Sequence, residues 1–383
     1  MWLFLGIFTN ILQMMLKYKK YTMTNNTYCV IMAGGIGSRF WPISREETPK
    51  QFLDILGTGR TLIQQTFERF TPICPAENFL VVTSIEYKAM VLEQLPALKA
   101  EQVLTEPYRR NTAPCIAYAN AWIKKRNSEA SIIVTPADHL ILKPEEFVKV
   151  ISKGVDFVQN FDALLTLGIK PHRPETGYGY IQVSDDSPTE LGVIEPVKTF
   201  TEKPNLELAK VFFESGEFFW NSGIFIWTLR AIENAFDKHL PEVKRLFDNI
   251  NDQINTDQQE NAIKEIYHEC DNISIDYGIM EKATNVYVLT ADFGWSDLGT
   301  WSSLYEHSDK DDNQNAINTG KVLTYDSKNC IINLPNKKMA VIQGLDNYIV
   351  AESHDCLLIC PKSNEQQIRQ FSADILAEYG QEK

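Results

Sequence analysis

The 383-residue chain is 44% hydrophobic and 23% charged, the balance of a globular enzyme with room for two domains, and its formal charge at pH 7 is -13. With no Lys/Arg block against that field, sustained nucleic-acid binding is excluded, and an anionic substrate would need local cations or metal ions. The first 16 residues, MWLFLGIFTNILQMML, are uncharged and precede Lys17, Lys19 and Lys20. A membrane span needs about 20 apolar residues, and a secretory signal carries its charge before the apolar run. Neither pattern is met, so the expectation is that residues 1–22 are a non-native or disordered extension, with Met23 the true start.

From there, short apolar strands alternate with amphipathic helices. Strands are expected at YCVIM (28–32), 78–83, 101–105, 131–136 and 163–169, and helices near 61–70, 85–94, 112–126 and 146–160. Asn111 or Thr112 supplies an N-cap for the third helix and Pro114 its first turn. Alternation of this kind predicts a sheet covered by helices on both faces, with ligands beyond the carboxyl ends of the strands. From about 172 to 300 the pattern loosens into strands mixed with helices, and the polar stretch 306–320 suggests a domain boundary near 305–320. This gives a catalytic domain over 23–305 and a β-rich domain over 320–383 that ends in a helix near 364–378. In that tail Cys356 and Cys360, within CLLIC, read as strand rather than as zinc ligands. The seven cysteines, an odd number without a CxxC pair, fit reduced thiols in a cytoplasmic protein.

The first strand runs into AGGIGSRFWPISREETPKQF. A dinucleotide fingerprint would need a third glycine where Phe40 stands, and no P-loop lysine follows at the required spacing. What remains is a glycine turn whose backbone N–H groups (Ala33, Gly34, Gly35, Gly37, Ser38) can approach anionic oxygens, with Arg39 and Lys50 on a loop stiffened by Pro42 and Pro49. That set suits a triphosphate that is gripped and then cut. Asp138, directly after the apolar run SIIVTP, is placed to hold a hard cation, and Asp297 in GWSDLGTW is the natural second carboxylate. On residue type alone either could equally be a turn-forming Asp.

The loop resembles that of the sugar-1-phosphate nucleotidyltransferases, and the resemblance continues in order through EPYRRNTAP, PADH, TGYGYI, FTEKP, WNSGIFIW, DYGIMEK and GWSDLGTW. It covers about residues 28 to 301, and GLDNYIVAESHDCLLICP is similar to the small C-terminal β domain of the same family. The resemblance implies an α/β fold: a Rossmann-like domain with a mixed, mostly parallel sheet covered by helices, and a β-rich tail that could form a short left-handed β-helix. Trp-Pro and Pro-Lys-Gln-Phe point to the members that join GTP to mannose 1-phosphate, giving GDP-mannose and pyrophosphate. It further implies Mg²⁺ on Asp138 and Asp297, Arg39 and Lys50 on the leaving pyrophosphate, and Glu106, Asn111 and Thr112 at the nucleotide. Lys203 would bind the sugar phosphate and Glu202 sugar hydroxyls, with Gly177, Tyr178, Gly179 and Asn221 lining the sugar. Capping explains one of Asn111 and Thr112 completely, core packing is the alternative for Tyr178, and Asp276 and Glu281 rank low because a helix start predicts the same letters. A homodimer through the C-terminal domain, without nucleic-acid or membrane partners, completes the expectation.

Overall fold

The computed structural model describes residues 26–183, 192–353 and 356–380, so the expectation about residues 1–22 lies outside the described residues. The strands, in chain order, are β1 (Thr27–Met32), β2 (Phe79–Ser84), β3 (Val103–Glu106), β4 (Ser131–Pro136), the two-residue β5 (Leu140–Ile141), β6 (Leu164–Ile169), β7 (Tyr180–Val183), β8 (Ile194–Thr201), β9 (Phe218–Thr228), β10 (Val286–Ala291) and the two-residue β11 (Trp295–Ser296). After them come β12 (Ala316–Thr319), β13 (Lys321–Tyr325), β14 (Ile331–Asn333), β15 (Met339–Gln343), β16 (Tyr348–Ser353) and β17 (Cys356–Pro361). Backbone contacts divide the chain into two compact units.

The larger unit comprises the described residues up to Gly34, then Thr66–Pro136 and Ile141–Trp295. Its sheet has nine strands in the order β3-β2-β1-β4-β9-β6-β10-β8-β7. β1, β2, β3 and β4 pair in parallel, as their continuous apolar sequences require of strands covered on both faces. β9 enters antiparallel to both β4 and β6, so the sheet is mixed as expected, although the parallel character is concentrated in its first half. The alternation of residues 28–136 is therefore a faithful signal, whereas the looser pattern after 172 marks hairpin insertion. Helix Thr112–Lys124 is buried along most of its length, with Trp122 and Tyr118 in the main core beside Phe236, Phe247 and Tyr267. Fully burying side chains of this size stabilises by roughly 1.5–3 kcal/mol each.

The smaller unit comprises Gly35–Gln65, Ala137–Leu140 and Ser296 onward. The division thus differs from the linear boundary expected near 305–320. The reason is packing: Phe40 and Trp41 of the glycine-loop segment share one core with Trp301, Leu304, Ile331, Ile349, Ala351 and Leu358. The rings of Phe40 and Trp301 lie 5.4 Å apart. A loop read as part of the first domain is in physical terms a wall of the second. Its strands alternate between two ladders, β12-β14-β16 and β13-β15, all parallel, and β17 closes the first ladder antiparallel. Successive strands taken in turn by two parallel ladders make a β-helical coil. Among the described residues no helix is long and apolar enough to cross a membrane.

Candidate active site

In the smaller unit a buried cation organises the site. Gly37 adopts φ 69° and starts the short turn Ser38–Phe40. A side chain there would be strained and would also strike Lys50 Cβ, so glycine lets the loop close over the lysine. Lys50 is only 3% exposed. Its Nζ lies 2.9 Å from Asp138 Oδ2 and donates to the carbonyl oxygens of Asp297 and Leu298 at 2.7 and 2.9 Å. An ammonium has three hydrogens, and each has an acceptor here. In this structure Lys50 is a clamp that fixes one carboxylate and the turn carrying the other. Burial pushes the Asp138 carboxyl up, but the charges of Lys50 and His139 and the hydrogen bonds it accepts outweigh that and hold it below the usual carboxylate range. Asp297 Oδ1 accepts from Gly299 N at 2.9 Å. Arg39 keeps a buried Nε with no hydrogen-bond partner among the described residues, a donor suited to an anion. Gln51, within PKQF, donates to the Gly35 carbonyl at 2.9 Å and braces the glycine turn.

Two carboxylates on loops anchored by one cation suit Mg²⁺, which takes hard oxygen ligands, commonly one or two carboxylates completed by phosphate and water. Among the described residues no group of three or more His, Cys, Asp or Glu could hold a metal ion by itself. The donor set fits a metal that arrives with a phosphate substrate.

The larger unit carries two further clusters. At the end of β3, Glu106 is buried. Its Oε1 accepts from the Tyr267 hydroxyl at 2.9 Å, and its Oε2 lies against Gly34, 3.3 Å from where a Cβ would stand. Burial raises its carboxyl to about 7, against the lowering effects of the Tyr267 hydrogen bond and the Arg109 charge. Ala33 is held in place by Val82 and Thr83. Asn111, at φ 67°, caps the helix by accepting from Thr112 N, while Thr112 Oγ1 accepts from Ile275 N at 2.8 Å. Both polar side chains therefore have structural partners, one more than capping alone would account for. Arg110 is tied to the carbonyls of Tyr267 and His268, and Arg109 reaches the Tyr87 hydroxyl.

The second cluster lies around Glu202 and Lys203. Lys203, at φ 47°, pairs with Glu202 Oε1 at 2.7 Å. Burial would lower the lysine, but Glu202, Asp276 and Tyr277 keep it above its ordinary value. Gly179 makes room for Glu202 Oε2, which a Cβ would strike, and Gly177 donates its N–H to Glu175. Tyr178 is half-buried, edge-on to Trp220 and Trp295 at 5.1 and 5.2 Å. Asn221 Oδ1 accepts from Thr166 and Gly223, and its Nδ2 donates to Asp276 Oδ1 at 2.9 Å, so the amide is engaged within the protein. The group it presents is Asp276, the first residue of the one-turn π-helix Asp276–Met280, whose N-cap position is held by Ile275. Burial and the nearby Glu202 charge raise the Asp276 carboxyl to about 7. Glu281 Oε1 accepts from Glu202 N at 3.1 Å and so supports the same strand end.

A glycine turn beside two anchored carboxylates, with separate acidic clusters in an α/β unit, defines a phosphate-handling transferase. The chain belongs to the nucleotidyl transferase family, whose model matches residues 28–314. It is 37% identical over 348 residues to the alginate biosynthesis protein AlgA of Pseudomonas putida, covering 89% of this chain and 70% of that protein. It is 34% identical to a mannose-1-phosphate guanylyltransferase of Escherichia coli, with 89% and 74% covered. Among solved structures it is similar to a Thermus thermophilus protein described as a mannose-1-phosphate geranyltransferase, with TM-score 0.81, 29% identity, and 91% and 99% of the two chains covered.

Proposed function

We propose that this chain transfers GMP from GTP to mannose 1-phosphate, releasing pyrophosphate and forming GDP-mannose. The observation that carries the chemistry is the buried Lys50, with Asp138 and the Asp297 turn both fixed on one ammonium. The relatives named above carry the choice of substrates. A phosphate oxygen of the sugar phosphate attacks the α-phosphorus of GTP in line, a P–O bond to the sugar phosphate forms, and the bond to pyrophosphate breaks. No covalent enzyme intermediate is required, so catalysis is positioning and charge neutralisation.

Asp138 and Asp297 would hold Mg²⁺, which supplies charge neutralisation at the phosphate oxygens when bound. Arg39, with its unpartnered buried Nε, and the backbone N–H groups of the glycine turn from Gly34 to Ser38 bind triphosphate oxygens, the Ala33 N–H being taken by the Val82 carbonyl. Lys50 keeps the carboxylates in register. Glu106 accepts from the guanine edge, and the Asn111–Thr112 helix start supports the nucleotide. Lys203 neutralises the sugar phosphate, while Glu202 and Asp276, the latter oriented by Asn221, accept sugar hydroxyls over the Gly177–Gly179 turn.

The test is pyrophosphate release with Mg²⁺ across a matrix of nucleoside triphosphates and sugar 1-phosphates. Release with GTP and mannose 1-phosphate is expected. Release only with another pair would overturn the substrate assignment. No release with any pair, alongside tight GDP-mannose binding, would make the chain a nucleotide-sugar sensor.

A further inference from the structure

Glu106 projects from the end of β3 into a buried polar cluster that the transfer chemistry does not use. Tyr267, on helix Gln259–Glu269, is fully buried and donates to Glu106 Oε1 at 2.9 Å. Arg110 holds the Tyr267 backbone carbonyl at 2.8 Å. Tyr118 of helix Thr112–Lys124 packs edge-on to Tyr267 and has its own hydroxyl bonded to Gln259 at 2.8 Å. The tyrosine therefore cannot swing away from the carboxyl without breaking its own packing. Glu106 Oε2 remains on the Gly34 side.

The protonation state of this carboxyl decides what it can recognise. An ionised carboxylate presents two acceptors, which match the N1–H and N2–H donors of guanine. A neutral carboxylic acid presents one acceptor and one O–H donor, which match the N6–H and N1 of adenine. We infer that Tyr267 is the positioning residue that keeps guanine favoured over adenine, because its hydroxyl, donating to Glu106 Oε1, holds the side chain as a pair of acceptors. The inference rests on the GTP-using reading above.

The groups facing Glu106 are Tyr267 from its helix, Arg109 from the following loop, and Cys115 and Tyr118 from helix Thr112–Lys124. Only Arg109 brings positive charge; the cysteine and both tyrosines stay protonated, since burial pushes each of them up. The carboxyl itself sits near 7, so its ionisation is poised. Removing the Tyr267 donor raises it further. Base choice should then depend on pH, and the tyrosine should set where.

The experiment measures kcat/KM for GTP and for ATP, with mannose 1-phosphate saturating, between about pH 6 and pH 8.5. The wild-type GTP/ATP ratio is expected to fall as pH drops through about 7. In Tyr267→Phe the ratio at pH 7.5 should be lower by about tenfold or more, the scale set by losing one hydrogen bond to a charged group, and the falling limb should move to higher pH. A merely structural tyrosine would not move that limb. A ratio and limb unchanged in Tyr267→Phe would overturn the inference. If that variant does not fold, Glu106→Gln carries the test, because an amide has one acceptor and one donor and does not titrate: GTP preference and its pH dependence should both vanish, and a retained limb would overturn the inference. Wild-type protein that releases no pyrophosphate from GTP and mannose 1-phosphate sinks the functional reading and the inference together. Activity with GTP and an indistinguishable Tyr267→Phe sinks the inference alone.

Discussion

Lys50→Met separates the clamp from the packing around it. Methionine keeps an unbranched stem of similar length, so contact beneath Gly37 and beside the Phe40 ring, whose centroid is 5.6 Å from Nζ, is largely preserved. What disappears is the charge and three donated hydrogens. The carbonyls of Asp297 and Leu298 lose donors held at 2.7 and 2.9 Å, and a buried acceptor left unpaired costs about 1–3 kcal/mol. The Asp138 side chain is 31% exposed, so its carboxylate can turn toward water and the loss of the ion pair is discounted accordingly. The total is about 3 kcal/mol, the lower end of the cost of breaking a fully buried pair. Denaturant midpoints of wild type, Lys50→Met, Asp138→Ala and the double variant would measure this, with m checked for constancy. The cycle should give a coupling of about 1 kcal/mol or more, since the two groups touch. Lys50→Arg should recover little, because a planar fork cannot point three hydrogens at one converging triad of oxygens. A Lys50→Met midpoint within about 0.5 kcal/mol of wild type, the range of an ordinary surface change, would show that the ammonium does not hold this unit together.

Asp138→Ala and Asp297→Ala should each lower turnover by orders of magnitude in a steady-state pyrophosphate assay; near-wild-type rates in either would defeat the metal assignment. Lys203→Ala should raise KM for mannose 1-phosphate while leaving KM for GTP nearly unchanged, and the opposite pattern would move that lysine to the nucleotide. Glu106 also predicts a stability effect. Its carboxyl is raised from 4.5 to about 7 by burial, so the folded state binds the proton more tightly than the unfolded chain, and the contribution is fully present below about 4.5 and lost as pH rises through about 7. The shift corresponds to about 3 kcal/mol between those limits, at 1.36 kcal/mol per pH unit. Thermal melts of wild type and Glu106→Gln should therefore diverge across that window, and parallel curves would contradict the buried carboxyl.

The sequence carried the local signals well. Apolar runs at 28–32 and 131–136 became adjacent parallel strands, and Asn111 followed by Pro114 marked a real helix start. Local signals fail where the deciding contact is distant. Nothing near residue 40 announces that Phe40 packs on Trp301, so the boundary near 305–320 placed the glycine loop in the wrong compact unit. Tyr267 lies in EIYHEC, an amphipathic stretch with no motif, and meets Glu106 from 161 positions away. Two partners of Asn221 are distant too: Thr166 occupies its carbonyl oxygen together with the neighbouring Gly223, and Asp276 takes one of its two N–H donors.

The backbone itself bears on why Lys50 is buried. Leu298 sits at φ 44°, a left-handed conformation that a branched, bulky side chain adopts at a cost of about 1–3 kcal/mol. The turn containing that strain carries Asp297 and presents two successive carbonyl oxygens to Nζ of Lys50. An exposed lysine would exchange those carbonyls for water and could not offset the strain. A lysine 3% exposed keeps both carbonyls, and its remaining hydrogen goes to Asp138. The same ammonium thus accounts for the burial of a charge, the strained turn and the fixed spacing of two carboxylates. Direct binding of phosphate would require only the charge, and would explain neither the burial nor the turn.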